Sequence, residues 1–190
     1  MERAIFFDLQ GTLGGDAMGD ICDFTFFPFA AEAIAAARQA GYRALVVTNQ
    51  SHIARGLLTL EEFWRRASAL GHELAAQGAP WDGVYCCPHR KGDGCDCKKP
   101  LPRLALQAAV DWKLDLPTCW VVGDTGSADV GLARRIGAGA VLVLTGGGLG
   151  SVGEHRHRWQ EYEADHIAAD ALAAVRWIVA RASNGTGEES

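Results

Sequence analysis

The sequence is short of positive charge: 18 lysines and arginines face 23 aspartates and glutamates, a formal net charge of -5 over 190 residues. That balance excludes the basic footprint of a nucleic-acid binder and the polybasic patch that holds a protein on a membrane surface. The six tryptophans are spread along the chain and form no stacking platform for single strands. Long hydrophobic runs are also missing, since none approaches the roughly 20 residues of a membrane span. The first residues lack the basic, apolar, small-residue order of an export signal, so a cytoplasmic protein is expected. A small anionic partner would then need local positive charge from a metal, from lysines or from helix ends. No internal repeat or long linker divides the chain. One monomeric domain is expected over 1–182, followed by a polar, frayed tail at 183–190.

A disulfide framework is absent too. Of the six cysteines, Cys86, Cys87, Cys95 and Cys97 crowd into twelve residues, which is the signature of a metal rather than of paired bridges. Cys22 and Cys119 stand alone and are expected to be small buried hydrophobes.

What the sequence does have is alternation. Apolar, β-type runs at 3–8, 43–48, 82–87, 118–123 and 140–144 are separated by segments of helical period. The stretch "PFAAEAIAAARQAG" opens with Pro28 and stops at Gly41; "TLEEFWRRASALGHELAAQG" opens with a capping box, Thr59 and Glu62. Pro102 starts the next helix, Ser127 is placed to cap the one after it, and a last helix is expected from about Ile167 to Ala182. This order predicts an α/β, doubly wound, Rossmann-like and mostly parallel sheet, with ligands at the carboxyl ends of the strands. Two stretches, 9–27 and 145–161, have no regular pattern. In the second, "TGGGLG" lacks the Gly-Lys-Ser/Thr ending of a nucleotide loop and is expected to be a flexible connection near the site entrance.

Four strand ends carry polar groups. The first ends at Asp8, the second at Thr48 and Asn49, the third leads to Lys98 and Lys99, and the fourth ends in "VVGDTGSAD" with Asp124 and Asp129. Two carboxylates on neighbouring strands suit Mg²⁺, which keeps its other positions for water and phosphate oxygens. An aspartate beside such an ion can attack phosphorus, and a lysine and a hydroxyl opposite would hold the phosphoryl group.

The motifs "FFDLQGTL", "VVTNQS", "KKP" and "VVGDTGSAD" resemble, in order, the four motifs of the haloacid dehalogenase superfamily of phosphatases. "TNQSHIARG" and "CPHRKGDGCDCKKP" are similar to the branch that contains the heptose bisphosphate and histidinol phosphate phosphatases. The resemblance implies Asp8 as nucleophile and Mg²⁺ held by Asp8, Asp124 and the main-chain carbonyl of Gln10. It implies that Thr48 and Lys99 hold the phosphoryl group, that Asp129 orients Lys99 or metal-bound water, and that Asn49, Ser51, Arg55 and Lys98 lie close to substrate.

The cysteine loop reads Cys-x-His, five residues, Cys-x-Cys. Three thiolates and one imidazole suit a closed tetrahedral Zn²⁺ site made by Cys87, His89, Cys95 and Cys97. Adjacent side chains on an extended segment point opposite ways, so Cys86 competes with Cys87 for the first position. Cys87 mirrors the spacing of Cys95 with Cys97 and matches the family pattern, leaving Cys86 to the core. The zinc is expected to be structural, stapling the loop that sets Lys98 and Lys99.

Two positions depart from the family. Gln10 stands where a second aspartate would protonate the leaving oxygen and later activate water, and a carboxamide does neither. His52 stands where the branch usually has glycine; it is expected to be a loop residue, with a displaced acid or base as the other reading. His155 and His157 have no partners at ligand spacing and are expected to be solvated. The sequence thus predicts a short-capped, Mg²⁺-dependent phosphatase of small sugar phosphates, slowed at its proton transfers. Histidinol phosphate is the alternative substrate, and a phosphate-binding or scaffold protein the alternative of another class.

Overall fold

The computed structural model describes residues 1–184. Six strands form one parallel sheet in the order β3-β2-β1-β4-β5-β6: β1 is Ala4–Phe7, β2 Arg43–Asn49, β3 Gly83–Cys87, β4 Trp120–Gly123, β5 Gly139–Val143 and β6 His166–Ala168. Both faces are covered, which is why the strands read as continuous apolar runs. Ile5, Phe7, Ala44, Val46, Val122, Val141 and Val143 pack toward α1 (Ala30–Gln39), α3 (Leu60–Ala76) and α7 (Ala171–Asn184). Their neighbours Ala4, Phe6, Leu45, Val47, Val121, Ala140 and Leu142 pack toward α4 (Arg103–Trp112) and α5 (Gly131–Ile136). The expected doubly wound, single-domain α/β fold is the fold observed. Short helices α2 (Ser51–Ala54) and α6 (Gly148–Val152) sit in loops. Among the described residues no helix is long and apolar enough to cross a membrane.

The helix signals act as read at α3, where the Glu62 amide donates to Thr59 Oγ1 at 3.1 Å and the Thr59 amide to Glu62 Oε2 at 2.8 Å. The stripe Phe63, Ala67, Leu70 and Leu74 is the face that this start places inward. Other expectations are corrected. Ile167 belongs to the short edge strand β6, held in line by the Ala140 amide donating to Asp165 Oδ2 at 2.7 Å. The last helix starts only after Asp170, whose carboxylate accepts from the Ala173 amide at 2.8 Å, and runs to Asn184, past the expected end. The rest of the expected tail, 185–190, lies outside the described residues. Ser127 caps nothing: it sits inside a π-helical turn, Gly126–Val130, whose first bonds run from the Ala128 and Asp129 amides to the Thr125 carbonyl. Cys22 is exposed, because Ile21 is the residue its turn buries; Cys119 is buried as expected. Cys86 packs against the core, and burial pushes its thiol up to about 12.

From β1 the chain steps outward to β2 and β3, then returns to the other side of β1 as β4. This reversal opens a crevice beyond the carboxyl ends of β1 and β4, where α/β sheets bind ligands. One buried acid ties the β3 side of the sheet together. Asp82 accepts from Arg38 Nη1 at 2.5 Å, Arg43 Nη1 at 3.1 Å and the Ala44 amide at 2.8 Å. Burial raises its pKa, but these donors outweigh burial and hold the carboxyl below its usual value. Its stabilisation is therefore complete above the ordinary carboxylate range and is lost as pH falls through the lowered value. Asp82→Ala should cost about 1.5–3 kcal/mol at neutral pH, read by urea unfolding, and the difference from wild type should shrink below about pH 4.

Candidate active site

Asp8 follows β1 and Asp124 follows β4, so the switch point places two carboxylates side by side. Asp129 joins them from the π-helical turn, and acidic oxygens of all three lie within 4.8 Å of one another. Lys99 enters from the loop after β3, its Nζ donating to Asp8 Oδ1 and to Asp129 Oδ1, each at 2.7 Å. The Thr125 amide fixes the other Asp129 oxygen at 3.0 Å. Asp124 accepts from Thr125 Oγ1 at 3.1 Å and from the Gly147 amide at 2.7 Å.

One lysine against three acids, two of them buried and Asp8 nearly so, leaves negative charge uncompensated. Burial pushes the Asp8 carboxyl up to about 6, with Asp129 adding to the rise and Lys99 opposing it. Burial, then repulsion from Asp8 and Asp129, pushes Asp124 up to about 7. Burial alone would lower the Lys99 amine, but its two carboxylates outweigh burial and keep it charged. An oxygen-only donor set with surplus negative charge fits a hard divalent cation, whose charge would displace those protons.

Asp124 is backed by a segment expected to be a flexible connection. "TGGGLG" is instead folded onto the site. A Cβ on Gly146, whose φ is +54°, would overlap the Asp124 carboxylate and the Gly11 backbone, and a Cβ on Gly11, at φ +81°, would overlap the same carboxylate. Both glycines are needed for this close approach. The glycine run at 146–148 is visible in the sequence, but its meeting with Gly11 is a product of the fold.

Thr48, Asn49 and Gln50 continue β2 into the site. Gln50, which the sequence did not single out, is 2% exposed and donates to Thr48 Oγ1 at 2.9 Å and to Gln10 Oε1 at 2.7 Å. Gln10 in turn donates to the Gly19 carbonyl at 2.5 Å, so its carboxamide is held at both ends. Asp8, Gln10, Thr48, Asn49, Lys99, Asp124 and Asp129 line one cavity of about 150 Å³. The Asn49 side chain bridges the backbone of Lys99, accepting from its amide at 3.0 Å and donating to its carbonyl at 3.3 Å. It positions the lysine as well as lining the cavity. Arg55 and Ser51 line an adjoining hollow, and Ser51 Oγ accepts from Lys98 Nζ at 2.7 Å.

Cys87, at the end of β3, gathers with His89, Cys95 and Cys97 so that one ligand atom of each lies within 4.8 Å of the others. Cys97 Sγ is 3.1 Å from Cys87 Sγ and 3.2 Å from His89 Nδ1. Three sulfurs and one imidazole nitrogen converging so closely suit a tetrahedral thiophilic ion. The cluster is coupled to the cavity, because the His89 carbonyl accepts from Lys98 Nζ at 3.2 Å and from Ser51 Oγ at 3.3 Å. Cys86 takes no part in it. His155 and His157 lie outside both clusters.

Comparison with known proteins places this arrangement. Residues 96–174 match the model of a HAD-hydrolase-like family. The D-glycero-β-D-manno-heptose-1,7-bisphosphate 7-phosphatase of Yersinia pestis is 35% identical over 166 residues, covering 82% of this chain and 88% of that protein. The enzyme of the same name from Pseudomonas aeruginosa is 39% identical over 127 residues, covering 67% of this chain and 71% of that one. The D,D-heptose 1,7-bisphosphate phosphatase of B. bronchiseptica, solved with magnesium and phosphate, superposes with a TM-score of 0.84 at 27% identity, covering 94% of this chain and 99% of that one. The chain belongs to the haloacid dehalogenase superfamily, in the group of the heptose bisphosphate phosphatases, and is by class a phosphoric monoester hydrolase.

Proposed function

We propose that the protein removes one phosphate from a small sugar bisphosphate of the heptose bisphosphate type, through a phosphoryl group carried on Asp8. The observation that carries this reading is the pairing of the phosphoryl-sized cavity with a second, basic cleft. That cleft, of about 460 Å³, is lined by Arg90, Lys91, Lys98, Arg135 and Arg158 with Glu161 as its acid, and it shares Lys99 and Ala128 with the first cavity. A substrate with two phosphates would put one beside Asp8 and the other among these cations. In a chain of net charge -5, so local a basic surface fits the anionic ends of such a substrate.

The residues divide the work. Asp8 attacks phosphorus and the bond to the sugar oxygen breaks; water then attacks the phosphoryl group on Asp8, releasing inorganic phosphate and the free carboxylate. Lys99, fixed by Asp129, meets charge on the phosphoryl oxygens. Thr48 Oγ1 accepts from Gln50, which turns its own proton toward the cavity as a further donor. Mg²⁺ would be held by Asp8, Asp124 and the Gln10 carbonyl, and when bound supplies charge to offset that of the transferring group. Zn²⁺ on Cys87, His89, Cys95 and Cys97 would hold the loop that aims Lys98 at Ser51. Gln10 keeps its place in the wall but moves no proton.

Phosphate release from heptose bisphosphate, other sugar phosphates and histidinol phosphate, each with Mg²⁺, tests the reading. Heptose bisphosphate should be the best substrate. General acid-base catalysis contributes about 10²–10⁴ in rate, so Gln10→Asp should raise kcat by about tenfold or more, short of that range because the bond to the Gly19 carbonyl is lost. Rapid-quench mass spectrometry should find more phosphorylated Asp8 in the wild type than in Gln10→Asp. Activity in neither protein would sink the hydrolase reading, and a protein that binds phosphate without turnover would favour the scaffold.

The metal loop gives a separate expectation. Elemental analysis should find one zinc per chain, and Cys95→Ser should lose it. That variant should show a KM raised about tenfold with kcat changed much less, because Lys98 depends on the loop whereas Lys99 is also held by Asn49, Asp8 and Asp129.

A further inference from the structure

We infer that His52, oriented by Asp20, donates the proton to the leaving oxygen that Gln10 cannot supply. The inference rests on the hydrolase reading above and assigns a further catalytic residue to it. Beside the phosphoryl cavity lies a hollow of about 90 Å³ that shares Gln10, Ala17 and Asn49 with it. Gln10, which stands where the family has its acid, is a wall of both spaces, so a group lining the hollow borders the place where that acid acts. Among the side chains lining it, the ionisable ones are His52 and Arg55. A guanidinium does not give up its proton, whereas an imidazole can pass a proton on from one ring nitrogen and take it back. His52 is therefore the lining group able to give up a proton and recover it.

Its surroundings fit the role. His52 Nδ1 lies 4.0 Å from Asp20 Oδ2, with the two side chains 22% and 30% exposed. Asp20 is itself held, its Oδ1 accepting from the Cys22 amide at 2.8 Å at the start of the turn Ile21–Asp23. A carboxylate on the Nδ1 side favours the proton there and leaves Nε2 for the substrate. The separation exceeds a hydrogen bond, as is common for catalytic pairs before substrate closes the site. Charged groups near the imidazole are Asp20 from the loop after β1 and Arg55 from the end of α2; Glu62 and Arg65 of α3 act on the turn that carries Asp20.

The step balances. As the bond from phosphorus to the sugar oxygen breaks, the proton on His52 Nε2 passes to that oxygen and the sugar leaves as an alcohol. The neutral imidazole then takes a proton from the water attacking the phosphoryl group on Asp8. Inorganic phosphate leaves, Asp8 is a free carboxylate again, and His52 is again protonated.

The test compares the full-length wild type, His52→Gln and Asp20→Asn, with Mg²⁺, on the best sugar phosphate and on p-nitrophenyl phosphate, whose leaving group needs no proton. His52→Gln should lower kcat/KM for the sugar phosphate tenfold or more, and by a factor at least five smaller for p-nitrophenyl phosphate. The wild type should lose activity on the sugar phosphate as pH rises, and His52→Gln should lose that limb of the profile. Asp20→Asn should lower kcat/KM for the sugar phosphate more than for p-nitrophenyl phosphate, a split that a purely structural role would not produce. Equal losses on the two substrates, or none, would overturn the inference while leaving the hydrolase reading intact. No phosphate released by the wild type from either substrate would overturn both.

Discussion

The ammonium of Lys99, shared between Asp8 and Asp129, is the contact on which the rest of the site depends. Its side chain is 3% exposed, and a charge so placed survives only with partners within hydrogen-bond reach. The lysine and its two partners come from three separate parts of the chain: Asp8 from the end of β1, Lys99 from the loop after β3 and Asp129 from the turn after β4. The switch in strand order brings the first and third together, and Asn49 holds the backbone of the second. A change to any of these elements leaves a buried charge unmatched, so the fold's topology and the site's electrostatics constrain each other.

The same contact shows why the site is tolerable to the fold. Three acids and one lysine in a small cavity would be destabilising as a bare cluster, and burial already drives Asp8 and Asp124 toward their protonated forms. Clustered charge of this kind is what a divalent ion and a phosphoryl group would complete. The Gly147 amide and the Thr125 hydroxyl offer Asp124 partial compensation meanwhile. They come from loops pressed close by Gly146 and Gly11, where a side chain would collide.

Much of this was legible in the sequence for a local reason. A strand buried on both faces is a run of apolar residues, so a carboxylate or threonine closing the run stands out, as at Asp8, Thr48 and Asp124. The cysteine loop was legible because its three cysteines and one histidine lie within one short segment. What escaped notice depended on contacts far along the chain. In the sequence Gln50 is the residue after Thr48 and Asn49, and only the fold lets its amide join Thr48 to Gln10. The glycines at 146 and 147 were visible as composition, but their work is to let two backbones meet. Strand β6 is three residues long at a sheet edge, and its pattern ran into that of the helix after it. Residue type alone places Cys22 in the interior, whereas its turn buries the isoleucine beside it.

Gln10 is best understood through charge as well as through lost chemistry. A carboxylate at this position would be a fourth acid beside Asp8, Asp124 and Asp129, balanced by the same single lysine. The carboxamide removes that repulsion. It also gains a donor, spent on the Gly19 carbonyl, while its oxygen accepts from Gln50, which in turn braces Thr48. The position has thus become a neutral strut linking the loop after β1 to the end of β2. Proton transfer then falls to whatever titratable group borders the leaving oxygen, and the hollow on that side is walled by the same loop that carries Asp20 and by the short helix that carries His52. The strut holds both walls together, so the residue that gave up the proton also fixes the place from which another can deliver it.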